Sequence, residues 1–422
     1  MKYAVVTFGC RVNQADSLGF EEELQQAGGA AVAPEEADLV VVNTCSVTAS
    51  ADQGARQTVR RIARENPGAR VVMTGCFATR EPEALTALPN VLRVVPNGTK
   101  ASTVSLALAD LGMTTAQRYG DGEGSCGAAI APGVAGRTAY TLRVQTGCAE
   151  PCSYCIIPST RGEPQSVPLA HVLGQVDRLL AAGYKEIALT GVHLGSYGRD
   201  LAPRCSLDDL LLALEARPVA PSPLFRISSL EPMDCSDTLI DLVARSSRFA
   251  PHFHLPLQHV SARMLTAMRR PYAIEAYDRL VRRIRSAMPH ASIGTDLIVG
   301  FPGEQDNDAD AMATWLATSP LTHVHVFPYS DRPGTVASRM GDRPDGVVVR
   351  ERAARLRAIS RELSHRFQQS QVGTVHRALT LEDGSLVVTG NYLKARIPPG
   401  HTRNEWVQVR MTGPGLAEVV TA

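Results

Sequence analysis

The first hundred residues alternate short apolar runs with amphipathic stretches. The apolar runs are rich in β-branched residues, as in buried parallel strands, and cover residues 3–8, 39–42 and 71–73. The stretches between them have helical periodicity, end at Gly or Pro, and cover residues 16–27 and 53–64. This rhythm predicts an open parallel sheet with flanking helices in an N-terminal domain, residues 1–116.

A longer series of the same kind runs from residue 138 to residue 371. Its apolar runs cover residues 140–144, 186–192, 225–230, 252–257, 292–299 and 323–327. Helical patterns between them include residues 169–182, 207–216 and 274–288, and Ser206 is a predicted N-cap of the second of these helices. Six βα units predict a partial (β/α)6 barrel with its chemistry at the carboxyl ends of the strands.

The remaining segments are a linker and a small all-β domain. Residues 117–137 are rich in Gly and Ala without periodicity, which is typical of a linker, and contain Cys126, which has no partner at a metal-ligand spacing. Residues 347–371 predict one long helix rich in Arg. Residues 372–422 switch to short alternating strands separated by Gly and Asn turns, which predicts an OB-like barrel that docks on its neighbour. The predicted fold class is therefore α/β with a C-terminal all-β barrel.

Composition narrows the class of protein. No apolar run approaches the roughly 18 residues that a membrane-spanning helix needs, and the start of the chain has no signal-peptide pattern. The nine cysteines are then predicted to be reduced thiols and metal ligands in the cytoplasm. The net charge is +1, but residues 339–422 hold 13 Lys and Arg against 8 Asp and Glu, which suits nucleic-acid phosphates without proving that they bind.

Three cysteines form a compact motif just after the first strand of the predicted barrel. Cys148, Cys152 and Cys155, the loop triad, have C-x3-C-x2-C spacing, and the next Cys or His candidates, His171 and His193, lie beyond the loop. A structural zinc site normally has four ligands, whereas three thiolates suit a [4Fe–4S] cluster with one iron open to a small molecule. The alternative is three buried or zinc-bound cysteines.

Three further cysteines stand at the ends of the N-terminal strands, in the segments FGC, NTC and TGC. The carboxyl ends of adjacent parallel strands meet at one rim, so Cys10, Cys45 and Cys76, the strand-end triad, are predicted to meet there although they are about 30 residues apart. Any one of them alone would be explained as a small buried hydrophobic residue. Their repeated position predicts a second metal site.

Ten segments resemble, in this order, the radical S-adenosylmethionine (SAM) methylthiotransferases, and the resemblance covers nearly the whole chain. They are GCRVNQADS, NTCSVT, TGCFA, GCAEPCSYCIIPSTRG, LTGVHLGSYG, SSLEP, HLPLQ, GTDLIVGFPGE, VFPYSDRPGT and TGNYLKARIP. The segments GCRVNQ, LTGVHLGSYG and HVFPYSDRPGT are most similar to the branch that modifies N6-threonylcarbamoyladenosine at position 37 of tRNA, next to the anticodon. The branch acting on isopentenyladenosine usually has a Gln-Asn-Val stretch in place of residues 192–194. The branch acting on a ribosomal-protein aspartate usually has Pro-Lys-Asn after the first Cys.

The resemblance implies a radical SAM barrel between the N-terminal domain and a C-terminal RNA-binding barrel called TRAM. It also implies two [4Fe–4S] clusters, one on each triad. The cluster on the loop triad cleaves SAM to a radical that removes the unactivated hydrogen on C2 of adenine, and the other carries the sulfur, so two SAM molecules are used per product. The implied partners are tRNA, a reductase as electron donor and a sulfur source, with no DNA and no membrane.

The resemblance also implies individual site residues, one motif at a time. The residues that the resemblance implies for SAM binding are Tyr154, Gly191, Ser229, Glu231, Gln258, Asp296 and Gly300, for which the alternative role is an ordinary core, turn or cap residue. The family commonly has Ser-Gly-Ser after the Gln, whereas this chain has His259, Val260 and Ser261. His193 is interpreted as a hydrogen-bonding loop residue rather than a metal ligand. The RNA contacts predicted in the C-terminal barrel are Tyr392, Lys394, Arg396 and Arg403, and the alternative there is a solvated basic face around core aromatics.

The main alternative to an enzyme is a non-catalytic iron–sulfur module, either an electron carrier or an RNA-binding scaffold. An electron carrier would surround each cluster with four cysteines, and each triad here has three. The open position favours a small molecule at the iron. A methylthiotransferase acting on isopentenyladenosine or on a ribosomal-protein aspartate is the alternative within the enzyme class.

Overall fold

The computed structural model of the 422-residue chain describes residues 1–113, 131–133, 137–218 and 222–420. Most of the predicted linker, with Cys126, lies outside the described residues. The three folded parts follow one another in the predicted order, and the exact domain boundaries stay predictions. Among the described residues, no helix is both long enough and apolar enough to cross a membrane.

The N-terminal part contains five strands and five helices. The strands are β1 (Lys2–Thr7), β2 (Ala30–Ala31), β3 (Leu39–Thr44), β4 (Arg70–Gly75) and β5 (Val91–Val95). The helices are α1 (Arg11–Gln26), α2 (Ala49–Glu65), α3 (Cys76–Arg80), α4 (Pro82–Thr86) and α5 (Thr103–Asp110). The strands form one parallel sheet in the order β2-β1-β3-β4-β5, with an apolar core on each face, which confirms the predicted open sheet.

Helix α1 begins at Arg11, earlier than the predicted residue 16. Asn13 and Asp16 on its first turns are buried although they are polar. Their side chains bind neighbouring elements; Asn13 Nδ2, for example, donates to the carbonyl oxygens of Phe8 and Thr44. Buried polar side chains interrupt the apolar periodicity from which a helix is predicted, so the first turns did not show in the pattern.

The central part is the predicted partial barrel. Its strands are β6 (Tyr140–Arg143), β7 (Gln145–Thr146), β8 (Gln165–Ser166), β9 (Glu186–Thr190), β10 (Leu224–Ile227), β11 (His252–His254), β12 (Ser292–Val299) and β13 (His323–Pro328). Its helices are α6 (Ile157–Arg161), α7 (Leu169–Ala181), α8 (Leu207–Glu215), α9 (Asp237–Arg245), α10 (Ala262–Ala267), α11 (Ile274–Ala287), α12 (Asp306–Thr318) and α13 (Gly346–Ser370).

Six parallel strands build the barrel wall as two three-stranded sheets, β6-β9-β10 and β11-β12-β13. A bridge joins Phe225 of β10 to Phe249, three residues before β11, and one continuous apolar core lies between the strands and the helices. Strand β11 is shorter than the apolar run 252–257, because Pro256 has no N–H to donate to a ladder. Ser206 is the N-cap of α8, as predicted, and accepts a hydrogen bond from the Asp209 N–H.

The C-terminal part is a closed five-stranded barrel, which confirms the predicted all-β domain. Its strands are β14 (Val375–Leu381), β15 (Leu386–Thr389), β16 (Lys394–Arg396), β17 (Trp406–Gly413) and β18 (Leu416–Val419). Its small apolar core is centred on residues such as Ala378, Val387 and Val409, and Phe367 of α13 packs against it. The long helix therefore ends against the barrel.

A buried carboxylate joins the N-terminal domain to the central barrel. Asp16 of α1 has a side chain only 3% exposed and forms ion pairs with Lys100 at 2.6 Å, Arg143 at 2.5 Å and Arg161 at 3.2 Å. Burial would raise the pKa of Asp16, but these three cations outweigh it and keep the pKa well below its usual range. Because Arg143 and Arg161 belong to the central barrel, the carboxylate connects the two domains.

A buried arginine joins the central barrel to the C-terminal barrel in a similar way. Arg226 of β10 is fully buried, and its Nε donates to Glu186 on the neighbouring strand β9 at 3.0 Å. Its Nη1 donates to the carbonyl oxygen of Gly390 at 2.9 Å, in the turn between β15 and β16. This turn, residues 390–393, is therefore fixed against the barrel interior.

Replacing Asp16 with Asn tests the first junction. The variant leaves the buried Lys100 and Arg161 without their carboxylate, so we expect the free energy of unfolding to fall by about 3–5 kcal/mol. Asp110→Asn is the matched control, because Asp110 pairs with Arg93 nearer the surface, where a pair contributes at most about 1 kcal/mol. Urea titrations followed by circular dichroism compare the two. Equal shifts in the two variants would contradict a structural role for the Asp16 network.

Candidate functional site

The three folded parts surround one cavity of about 820 Å³. The N-terminal domain contributes Cys10 and Cys45 to its wall, the central barrel contributes Gly191 and Asp296, and the C-terminal barrel contributes Tyr392. Residues that the sequence placed in three separate predicted sites thus line a single space. The cavity is the candidate active site.

Two members of the strand-end triad, Cys10 and Cys45, line this cavity, whereas Cys76 and the cysteines of the loop triad do not. Cys10 is the N-cap of α1, Cys45 directly follows β3, and Cys76 is the first residue of α3, so all three stand at the carboxyl ends of adjacent strands, as predicted. Gly9 has φ of +87°, and a Cβ there would collide with the Cys45 side chain, so a glycine is needed for the cysteines to approach. Burial raises the pKa of Cys45 to about 11, and the charges of Cys10 and Cys76 add to the effect.

The loop triad lies between β7 and α6. Burial raises the pKa of Cys155 to about 12, and Cys152 and Cys148 raise it further by their charges. Arg270, whose side chain is 1% exposed, donates from Nη1 to the Cys152 sulfur at 3.2 Å and forms an ion pair with Glu231. The guanidinium of Arg270 is thus a buried cation in contact with the sulfur of Cys152.

His193 completes the surroundings of the loop triad. Its Nε2 hydrogen-bonds Asp234 Oδ2 at 2.8 Å. Burial would lower the pKa of His193, but the hydrogen bonds with Asp234 and Cys148 raise it to about 10. The ring therefore lies between a carboxylate that it hydrogen-bonds and a cysteine of the loop triad.

The donor sets fit iron–sulfur clusters better than single zinc ions. A tetrahedral zinc ion with Zn–S bonds of about 2.3 Å holds its sulfur ligands only about 3.8 Å apart. Among the described residues, the Cys, His, Asp and Glu groups with three ligand atoms within 4.8 Å of one another do not include either triad. Thiols with a raised pKa need a nearby positive charge to ionise, and a metal cluster supplies it. In each triad the three sulfur atoms do not all lie within 4.8 Å of one another. Three thiolates at such a spacing suit a cluster with one open iron.

The residues predicted to contact SAM fall into three groups. Gly191, Ser229 and Asp296 line the cavity. Tyr154 and Glu231 lie beside the loop triad, where the charges of both act on Cys152, Cys155 or Arg270. Gln258 and Gly300 lie next to the cavity wall and do not line the cavity itself.

Gly191 and Gln145 position the loop triad. Gln145 donates from Nε2 to the carbonyl oxygens of Thr146 and Gly147, at 2.7 and 2.8 Å, and accepts from the His193 N–H at 2.9 Å. A Cβ on Gly191 would stand 2.9 Å from Gln145 Oε1, so a side chain there would displace the glutamine. The glycine therefore leaves room for the support of the cysteine loop as well as for a ligand.

Gln258 and Gly300 act through the backbone of β12 and its loop. Gln258 has φ of +69°, donates its N–H to Asp296 O at 2.8 Å and accepts from the Ile298 N–H at 2.9 Å. Gly300 has φ of +73°, and a Cβ there would stand 2.5 Å from Val349 of α13. Both residues fix the strand that carries Asp296, and their positive φ explains the local chain reversal.

His259, which replaces the usual Ser, is fully buried beneath this loop. Its Nδ1 accepts a hydrogen bond from the Ser261 N–H at 3.0 Å, and its Nε2 is 3.8 Å from Glu304 Oε1. Neither His259 nor Val260 lines the cavity. The departure from the family pattern therefore changes the packing below the loop.

Asp296 is charged and bound by two histidines. Its Oδ1 lies 2.9 Å from His254 Nε2 and 3.2 Å from His325 Nδ1. Burial would raise the pKa of Asp296, but these hydrogen bonds keep the pKa well below its usual range. A negatively charged carboxylate therefore faces the cavity.

The predicted RNA contacts separate into two environments. Tyr392 lines the cavity, whereas Lys394 and Arg396 are exposed on β16, on either side of the buried Ala395. Arg403 already donates to the carbonyl oxygens of Glu382 at 2.9 Å and Gly133 at 3.1 Å. Of the four predicted RNA contacts, Lys394 and Arg396 are therefore the two exposed cations on a β-strand.

Sequence reasoning missed the histidines and arginines of the cavity. His252 and His254 on β11, and His323 and His325 on β13, alternate with apolar residues in the segments HFH and HVH. Period-two polar residues on barrel strands indicate that one inner face is polar, and this signal was present in the sequence. Arg11 gave no such signal, because its partner lies in another domain.

Comparison with known proteins identifies the family. The family profile described as Uncharacterized protein family UPF0004 matches residues 2–96, and that of the Radical SAM superfamily matches residues 142–316. The chain is 35% identical to a threonylcarbamoyladenosine tRNA methylthiotransferase MtaB of Aquifex aeolicus, over 93% of this chain and 96% of that protein. It is 35% identical to a tRNA-2-methylthio-N(6)-dimethylallyladenosine synthase of Chloroflexus aurantiacus, over 86% and 78%.

A solved structure supports the fold. The radical S-adenosylmethionine methyltransferase TsrM from Kitasatospora setae, solved with cobalamin and a [4Fe–4S] cluster bound, superposes with a TM-score of 0.56 at 18% identity, over 80% of this chain and 73% of that chain. The relatives match nearly the full length and carry the same enzymatic class. The chain therefore belongs to the radical SAM methylthiotransferase family, whose cofactors are S-adenosylmethionine and [4Fe–4S] clusters.

Proposed function

We propose that the protein inserts a methylthio group at C2 of N6-threonylcarbamoyladenosine at position 37 of tRNA. The observation that carries this proposal is the single cavity bordered by Cys10 and Cys45 on one side and by Gly191 and Ser229 on the other. A reaction that removes hydrogen from a base and puts sulfur in its place needs both functions within reach of one atom. A relative that acts on threonylcarbamoyladenosine is also more similar, at 35% identity over 93% of this chain, than a dimethylallyladenosine relative that matches 97% of this chain at 31% identity.

Each triad is proposed to hold one [4Fe–4S] cluster, with SAM on the open iron of the loop triad. When bound, these groups supply a 5′-deoxyadenosyl radical for the C2 hydrogen and a sulfur atom for the new C–S bond. One SAM would be cleaved with an electron from the external donor to methionine and, once the C2 hydrogen is taken up, 5′-deoxyadenosine. A second SAM would donate its methyl group to the sulfur and leave as S-adenosylhomocysteine, so two would be consumed per product. An external electron donor and a sulfur source complete the reaction.

The protein's own side chains position these groups and shield them from water. Gln145 orients the loop that carries Cys148, and Arg270 stabilises the Cys152 thiolate. Gly191 leaves its backbone open to the amino group of SAM. Arg161 connects the loop to the strand-end triad through Asp16, which sets the separation of the two sulfur sites.

The C-terminal barrel is proposed to bind tRNA outside the cavity. Lys394 and Arg396 are exposed neighbours on one face of β16, and their charges suit backbone phosphates. Arg403 contributes less, because its guanidinium already binds two backbone carbonyls.

The two cysteine triads are expected to have different roles in forming the product. Anaerobic reconstitution should give about eight irons per chain, and replacing either triad with Ala should leave about four. An anticodon stem–loop RNA carrying N6-threonylcarbamoyladenosine should gain a methylthio group, detected by mass spectrometry of its nucleosides. The Cys10/Cys45/Cys76→Ala variant should still cleave SAM reductively but make no product, because the sulfur and radical sources lie on separate domains.

Cys205→Ala is the matched control, since Cys205 lies outside both triads and should change neither iron content nor product. Stem–loops with isopentenyladenosine test the sister branch, and ribosomal protein tests the aspartate branch. Product on either of those substrates but not on threonylcarbamoyladenosine would overturn the proposed substrate. Full iron content after removal of either triad would refute the ligand assignment.

The second prediction concerns RNA binding. Lys394→Ala with Arg396→Ala should weaken tRNA binding and reduce the slope of log K against log salt by roughly one unit for each phosphate that is no longer bound. Gel-shift titrations across salt concentrations measure both quantities. Point variants are needed because deleting the whole barrel would also remove the Gly390 carbonyl that binds the buried Arg226.

Arg361→Ala supplies the control for the removal of positive charge, since Arg361 is an exposed residue on α13 outside the C-terminal barrel. It should leave the slope unchanged. An unchanged slope in the Lys394/Arg396 variant would show that the barrel is a structural cap and does not bind RNA.

A further inference from the structure

Arg11 places an uncompensated positive charge at the cavity. It is the first residue of α1, so the positive end of the helix dipole lies beside it. Its Nη2 donates to the neutral Tyr392 hydroxyl at 3.3 Å, and its guanidinium carbon lies 5.8 Å from the centre of that ring. Within the described part of the chain, no carboxylate pairs with Arg11, in contrast to Arg161, which binds Asp16.

Besides Arg161 Nε, two buried polar atoms on the wall of the same cavity have no hydrogen-bond partner among the described residues. They are His252 Nδ1 and Ser228 Oγ, and each residue is only 5% exposed. Buried polar atoms are almost always hydrogen-bonded, and unpaired ones indicate a missing partner. His252 lies 4.9 Å from the Tyr392 ring and is electrostatically coupled to Arg11, so these groups belong to one cluster.

Tyr392 is held firmly in this cluster. Its ring lies 4.5 Å from the guanidinium carbon of the buried Arg226 and also contacts the His252 ring. Its φ of +66° is uncommon for a residue other than glycine, and such a conformation persists only where the surrounding contacts impose it. These contacts hold the Tyr392 hydroxyl in place, and by accepting a hydrogen bond from Arg11 it orients the guanidinium.

The charges of the cavity favour an anionic group. Asp296 is the one acidic side chain among the described residues that line it, and two histidines already bind its Oδ1. Arg11 and Arg161 are the cations of the lining, and Arg161 already pairs with Asp16. Of the four histidines there, burial lowers the pKa of His252 and of His323, which favours their neutral forms. The threonylcarbamoyl substituent carries both a carboxylate and a hydroxyl, whereas an isopentenyl group has no polar atom.

We propose that Arg11, with His252 and Ser228, binds the carboxylate and hydroxyl of the threonylcarbamoyl substituent and so selects this nucleoside over isopentenyladenosine. This inference rests on the proposed function. The base would then lie between the two triads with its N6 substituent directed toward Tyr392. A site with buried polar groups rejects an apolar analogue strongly, because those groups would stay unpaired.

The test combines two changes, one in the protein and one in the RNA. Arg11→Gln should lower kcat/KM on a threonylcarbamoyladenosine stem–loop by about 10- to 100-fold, the size expected when a hydrogen bond to a charged group is removed. Wild type should show a similar decrease when the carboxylate of that RNA is converted to its neutral methylamide. The two decreases should not add in the variant acting on the methylamide, because both remove the same interaction.

Two protein controls accompany the test. Arg11→Lys keeps the charge and should recover most of the activity, and Arg60→Gln removes an equally positive, exposed side chain from α2 of the same domain and should have no effect. Binding of the stem–loop by fluorescence anisotropy should follow the same pattern. Iron content is measured in each variant because Arg11 directly follows Cys10, and kcat/KM is expressed per reconstituted cluster.

The outcomes separate the two proposals. If wild type does not modify the threonylcarbamoyladenosine RNA, the proposed function is wrong and the inference falls with it. If wild type modifies that RNA but Arg11→Gln reduces activity on both RNAs equally, or on neither, the function stands and the assignment of Arg11 to the carboxylate is overturned.

Discussion

The arrangement of the two cysteine triads depends on Arg161. This residue lies on the short helix directly after the loop triad, and its side chain is 2% exposed. It crosses into the N-terminal domain, where it pairs with Asp16 and lies close enough to Cys76 for the two charges to interact. Sulfur insertion requires a fixed separation between the two triads, and a buried ion pair sets it, because breaking such a pair leaves a costly uncompensated charge. The domain junction and the reaction geometry are thus one structural feature.

Charge at this junction is balanced only when the cysteines are counted. Lys100, Arg143 and Arg161 all face the single carboxylate of Asp16, so the cations outnumber the anion. Burial lowers the pKa of Arg161, but the charge of Asp16, followed by those of Cys76 and Cys10, raises it well above its usual range. Ionised cysteines would therefore add to the compensation of the cations. Burial opposes ionisation of these thiols, so cations and a bound cluster must stabilise them together. Cluster binding and packing of the two domains therefore support each other.

The parts of the site that could be predicted from the sequence are those that a single strand or adjacent strands of one sheet determine. Strand β12 begins and ends where its apolar run does, and the strand-end cysteines stand at one rim because adjacent parallel strands share it. Their binding of one metal cluster stays a prediction. The tyrosine and arginine of the cavity were not predictable, because Arg11 and Tyr392 are 381 residues apart in the chain and in different domains. Tyr392 was predicted as an RNA contact from its place in a basic segment, and only the docking of the barrel directs it inward. The SAM contacts implied by resemblance stay predictions, with Gly191, Ser229 and Asp296 supported by their place on the cavity wall.

The turn between β15 and β16 connects the outside of the protein with the cavity. Together, the turn and the following strand β16 present Tyr392 to the cavity and, two and four residues later, Lys394 and Arg396 to solvent. Arg226 binds the backbone of this turn from inside the central barrel, and Asn391 Nδ2 donates to the carbonyl oxygen of His290 at 2.9 Å. A tRNA bound on the exposed side would therefore be placed at a fixed distance from the group that meets the nucleoside. Because the turn is held from both sides, the proposed contacts to the RNA backbone and to the modified base would lie on one continuous surface, and recognition would not require the C-terminal barrel to move.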